Sequence, residues 1–172
     1  MVLVRINERT LVQKIKRFVL GSEKPELLIR LSVMVGFLVW LYFAIWEVLI
    51  FLSIVLVNRL KDPKMITDTF NRIGTKYAFM HRWGLDTLNT LLLHSTIVLG
   101  FYVLSLAGLV LIYRKIKRGY ILYLLGNGLS VLFTFIFLGQ DYFVEQISLI
   151  DKIIFLVVIL YFMVGLFFFK TI

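Results

Sequence analysis

Four stretches of the chain, Leu31 to Val57, Leu88 to Tyr113, Tyr120 to Leu138 and Ile153 to Phe169, run almost without polar interruption over the length needed to cross a bilayer. Hydrocarbon offers no water to backbone N–H and C=O groups, so each stretch must be an α-helix that satisfies its own. Their succession predicts an all-α membrane protein, a four-transmembrane-helix bundle over residues 31–172 behind a basic segment over 1–30. Pro25 and Pro63 both fall outside the apolar runs, so no span carries a proline kink. Composition agrees: 60% of the 172 residues are hydrophobic and mean hydropathy is +0.94, values foreign to a water-soluble domain. The absence of Cys removes disulfides, thiolate catalysis and thiolate zinc sites, and two His with no closely spaced pair of carboxylates form no designed metal site. Neither a nucleophile elbow nor a metalloprotease helix motif is present. No catalytic, cofactor-binding or metal-binding residue is therefore assigned, and an enzyme is not expected.

Charge sets the orientation. The chain holds 19 Lys and Arg against 10 Asp and Glu, and the basic residues lie between apolar runs, a pattern that suits anionic lipid headgroups and not nucleic acid. Basic residues are retained in the cytoplasm. Twelve of them, seven before the first span, four in the turn Arg114, Lys115, Lys117 and Arg118, and Lys170, fall on one side, against seven on the other. Both termini are thus expected in the cytoplasm. No short apolar core with a small-residue cleavage site precedes residue 31, so the first span reads as an uncleaved anchor.

Two further helices are expected at the interfaces. Residues 1–20 place Val2, Leu3, Ile6, Leu11, Ile15, Phe18 and Val19 among Arg5, Arg9, Lys14, Lys16 and Arg17, which is the pattern of an amphipathic helix lying on lipid. In the first outer loop Asp62 caps, Pro63 opens and Gly74 stops a short helix over 63–73, with Met65, Ile66, Phe70 and Ile73 on one face. Tyr77, Phe79 and Trp83 continue it as an aromatic belt.

Charge within a span is expensive and marks function first. Glu47 is the one acidic residue deep in a span, and its helical neighbours Trp40, Phe43, Ala44, Ile50, Phe51 and Ile54 supply no counter-charge. Counted from the outer ends at about 1.5 Å per residue, Glu47, His94, Asn127 and Tyr161 all fall about 13 to 16 Å deep. The four are expected to form one intramembrane polar cluster, with Ser95 or Thr96 nearby. Such a cluster can be packing glue, a proton-handling site or a surface shielded by another subunit. In the third span Gly126, Ser130 and Thr134 recur every four residues, the small-residue stripe of a helix-packing seam. The fourth span, bulky with Phe155, Phe162, Phe167, Phe168 and Phe169, is expected to face lipid or a partner.

The junction Arg114-Lys115-Ile116-Lys117-Arg118-Gly119-Tyr120, followed by Leu122-Tyr123 and Gly126-Asn127, resembles the turn between the second and third spans of small, uncharacterised four-span inner-membrane proteins of Bacteroidota. That resemblance implies an inner-membrane protein without an assigned activity. The chain is also similar to small multidrug-resistance transporters in having four spans and a glutamate in the first. There Glu47 would exchange protons for cationic drugs, although the long basic N-terminus and the longer outer loop differ from that family. Two functions are expected from these readings. The first is a non-catalytic multi-pass membrane subunit or scaffold that associates with anionic lipid headgroups and with partner membrane proteins or further copies of itself. The alternative is a small proton-coupled transporter that uses Glu47.

Overall fold

The computed structural model describes residues 25–59, 68 and 87–168. The expected N-terminal interfacial helix, the outer-loop helix and the end of the fourth span at Phe169 lie outside the described residues. Within them the chain is helical: α1 Leu27–Arg59, α2 Thr87–Tyr113, α3 Arg118–Leu138, a short α4 Gln140–Gln146 and α5 Leu149–Phe168. Four of these, α1, α2, α3 and α5, are long and apolar enough to cross a membrane. The protein is an all-α, four-span bundle.

Its centre is the α2–α3 hairpin, the most extensive helix pair among the described residues. The turn between them ends α2 in a Schellman motif: the Ile116 N–H donates to the Leu111 carbonyl and the Lys115 N–H to the Ile112 carbonyl, each at 2.9 Å. Lys115 takes the left-handed position of that motif with φ 62°. The hairpin then closes on small residues. A Cβ added to Gly108 would stand 2.5 Å from the Tyr123 backbone nitrogen, and one added to Gly119 would stand 2.6 Å from the Gly108 carbonyl oxygen. Gly126 packs in the same way against the Ser105 side chain and the Phe101 backbone. The stripe Gly126, Ser130, Thr134 is buried along this seam, which extends back to Gly119 at the turn.

α1 lies against α2, held by the Trp40 indole N–H, which donates to the Tyr102 carbonyl at 2.7 Å, and by packing of Ala44 on Val98 and Tyr102. The last member, α5, begins one turn earlier than the expected Ile153. Its start is a reciprocal cap: the Asp151 N–H donates to Ser148 Oγ at 3.1 Å, while the Ser148 hydroxyl donates to Asp151 Oδ2 at 2.7 Å. The Lys152 ammonium reaches back to the Val144 carbonyl at 2.9 Å, at the end of α4. It thereby satisfies an orphan acceptor of that short helix.

The register of α5 decides the shape of the site. Its bonds to α1 run from Tyr42, whose hydroxyl donates to Asp151 Oδ1 at 2.9 Å, down to Ser32, which meets the Tyr161 hydroxyl at 2.6 Å. Between these points the fully buried Phe162 ring fills the space over Gly36 and tilts against Tyr123 with ring centroids 4.2 Å apart. Phe162 thus belongs to the core with Leu109, Ile112, Tyr120 and Val158, an exception in a span whose Ile153, Leu156, Val157, Leu160 and Val164 are exposed. Glycine at 36 is the reason: it opens a socket on α1 that one ring enters. The part of α1 beyond Ala44 closes instead on α2 and α3, through Ile54 with Leu91, Phe137 and Leu138.

Candidate functional site

Three helices bring polar groups to one level near the end of the bundle opposite the basic α2–α3 turn. Glu47 from α1 is buried to 7% exposure and His94 from α2 to 6%. Glu47 Oε1 lies 3.5 Å from His94 Nδ1. The other ring nitrogen, Nε2, lies 2.9 Å from Thr134 Oγ1 on α3. Thr134 in turn donates to the carbonyl of Ser130, one helical turn earlier, at 2.8 Å. The imidazole lies beside the stacked Phe133 and Phe137 rings, nearly parallel to both, at centroid separations of 5.9 and 6.4 Å. Its two nitrogens are aimed at an acid on one side and a hydroxyl on the other.

One atom of this arrangement is left short. Among the described residues Glu47 Oε1 is buried and accepts no hydrogen bond, although the imidazole nitrogen stands within range of its charge. A buried carboxyl oxygen without a hydrogen bond costs several kcal/mol if the group is ionised. Tyr102 is the next polar side chain inward: its hydroxyl interacts with Ser130 and lies within electrostatic reach of Glu47. Ser95 is buried beside His94 in the chain, and its hydroxyl finds no partner among the described residues.

The structure divides the four residues expected to cluster. Glu47 and His94 come together. Asn127 is buried on the α2–α3 seam, but its side-chain amide donates to the Tyr123 carbonyl at 2.8 Å, one turn back on its own helix. It lies about two turns from Thr134 along α3, too far inward to bond Glu47. Tyr161 is 45% exposed and bonded to Ser32 near the start of α1, so it belongs to the basic end. The expected common level of all four is thus corrected for these two. No protein-family model, no curated protein and no solved structure matches this chain. The site itself carries the functional argument.

Thr134 and Tyr102 are the members that the residue pattern did not single out as polar partners. Counting both helices outward from the tight Arg114–Arg118 turn, instead of inward from the loop ends, places His94 opposite residues near 134–137 of α3. That signal was present, because a short turn fixes the register of the two helices it joins. Among the described residues no group of three His, Asp or Glu gathers as a metal site would require.

Proposed function

We propose that this is a non-enzymatic, multi-pass protein of a bacterial inner membrane, with both termini cytoplasmic, that takes up and releases protons at Glu47 and His94 as a small proton-coupled carrier. The observation that supports it is the buried Glu47 Oε1, held 3.5 Å from His94 Nδ1 with no hydrogen bond among the described residues. Polar residues that serve as packing glue gain stability by saturating their donors and acceptors. An acid aimed at an imidazole and left unsatisfied gains least as glue and most as a group whose charge changes in service. Two ionisable groups this close bind protons as one coupled pair.

The test is a pH jump applied to the full-length protein in proteoliposomes adsorbed on a solid-supported membrane. Wild type should give a transient charge movement. Glu47→Gln should lose at least nine-tenths of it while keeping its helical circular dichroism and a single size-exclusion peak. A folded Glu47→Gln protein with an undiminished response overturns the reading.

A second reading, a membrane subunit or scaffold, is favoured by a different observation. Beyond Ala44, α1 presents exposed Ile45, Trp46, Leu49, Leu52 and Leu56, with Trp46 at 62%. A helix of another membrane protein, or of a second copy, would fit along that flank, with anionic headgroups meeting the basic turn. Mass spectrometry of the protein released from gentle detergent separates the two: a defined protein companion or homo-oligomer supports the subunit, and a monomer carrying only lipid supports the solitary carrier.

A further inference from the structure

Thr134 was expected only as a small residue in a packing seam, yet its hydroxyl touches both a carbonyl and an imidazole. It has one hydrogen to give. The Ser130 carbonyl, 2.8 Å away, can only accept. The 2.9 Å contact to His94 Nε2 is satisfied at the same time only if Nε2 carries a hydrogen and donates it to Thr134. His94 Nδ1 then faces Glu47 Oε1 at 3.5 Å. With Nε2 protonated, a carboxylate opposite a bare Nδ1 would set two acceptors against each other inside a site less than a tenth exposed, so one proton must lie between them.

We infer that Glu47 and His94 form a site for a single proton, and that Thr134 is the positioning residue whose hydroxyl turns as the proton comes and goes. In the loaded state the proton sits on Oε1 or on Nδ1, Nε2–H donates to Thr134, and Thr134 donates to the Ser130 carbonyl. Either placement leaves the pair with no net charge. On release the pair loses one proton to a water or buffer base. His94 is then neutral with its hydrogen on Nδ1, donating to the Glu47 carboxylate, and Thr134 rotates its own hydrogen from the Ser130 carbonyl to the bare Nε2. No heavy atom has to move, because the hydroxyl can serve as acceptor or donor at the same place. The imidazole has no need to turn, because its two nitrogens already face the acid and the hydroxyl. Among the described residues the other titratable groups near the pair are Tyr102 of α2 and Tyr142 of α4, which packs on the cluster that holds Ile50, Phe133 and Phe137; α1 surrounds the acid with apolar Phe43, Ala44 and Ile50, and the α5 tyrosine, Tyr161, is bonded at the other end of the bundle.

The inference rests on the proton-handling reading and gives that site its stoichiometry and its switch. It is tested by ¹⁵N NMR of histidine-labelled, full-length protein in lipid nanodiscs. The chain has two histidines, so His81→Asn leaves His94 as the single signal. As pH rises through release, the ring should pass from a form protonated at Nε2 to the Nδ1–H tautomer. Thr134→Ser should keep that switch. Thr134→Val should lose it and show one tautomer at every pH, and Glu47→Gln should lock the Nε2–H form, because its amide can donate to Nδ1. A wild-type ring that carries hydrogen on Nδ1 alone at acid pH, or a Thr134→Val protein that switches like wild type, overturns the inference. A tautomer switch without charge movement in the pH jump would leave this site standing and remove the carrier; charge movement without a switch would do the reverse.

Discussion

At the scale of single residues, Glu47 and His94 depend on each other, and the dependence has a measurable sign. Removing the imidazole leaves a buried acid with no neighbour to share its charge, a loss that costs about 3 to 5 kcal/mol when a buried pair is broken from one side. His94→Ala is therefore expected to lower the thermal midpoint in detergent sharply at neutral pH. Replacing both partners with apolar residues of similar size, Glu47→Met with His94→Phe, should restore most of that loss, since no charge is then buried. A double variant as unstable as His94→Ala would mean that the imidazole stabilises the fold through its contacts with Phe133 and Phe137 and not through the acid. The meeting of these two residues was legible because a lone acid in hydrocarbon must find a donor and the chain offers few. The places of Asn127 and Tyr161 were not legible. Each satisfies its polar atoms locally or with a serine of another level, and depth counted from ragged loop ends does not reveal such choices.

At the scale of elements, the hairpin of α2 and α3 is specified by what it lacks. Gly108, Gly119 and Gly126 let two backbones touch, and the neighbours of an added methyl group at Gly108 are backbone atoms that cannot yield. Gly108→Ala should cost about 2 kcal/mol by overpacking, read as a lower unfolding midpoint. Gly100, with nothing within 4 Å of an added Cβ, is the control, and Gly100→Ala should be neutral or stabilise by up to about 1 kcal/mol through helix propensity. The turn carries the opposite feature, a lysine in a conformation that suits glycine. Lys115→Gly should stabilise the folded state by about 1 kcal/mol by relieving that backbone. The small-residue stripe could be read from spacing alone, although its partners on α2 could not. The start of α5 was also written in the chain: Ser148-x-x-Asp151 before an apolar run is a helix-start pattern. The unbroken apolar run starts one turn later, at Ile153, and masks that pattern. Ser148→Ala should cost about 1 kcal/mol, measurable as earlier unfolding.

At the scale of the whole molecule, helix lengths disagree in a way that places the site. α3 and α5, with 21 and 20 residues, each span about 30 Å, the thickness of the hydrocarbon, whereas the 33 residues of α1 reach about 50 Å. Because α5 meets α1 between Ser32 and Phe43, the excess of α1 lies at the end away from the basic turn. Tilt can absorb part of that mismatch, and the remainder carries the last turns before Arg59 toward or past the headgroups. Glu47 and His94 consequently lie closer to that end than to the basic one, His94 about 10 Å from the start of α2 and about 28 Å from its end. A proton reaching the pair from the side opposite the basic turn has the shorter path. Sidedness can be measured directly because the chain contains no cysteine, so each introduced thiol reports alone. Ile116→Cys in the basic turn should react with a membrane-impermeant maleimide only after the cells are permeabilised, while Gln140→Cys at the start of α4 should react in intact cells once the outer membrane is opened. The reverse pattern would put the basic turn outside and the short path to Glu47 on the cytoplasmic face, which would invert the direction from which protons load.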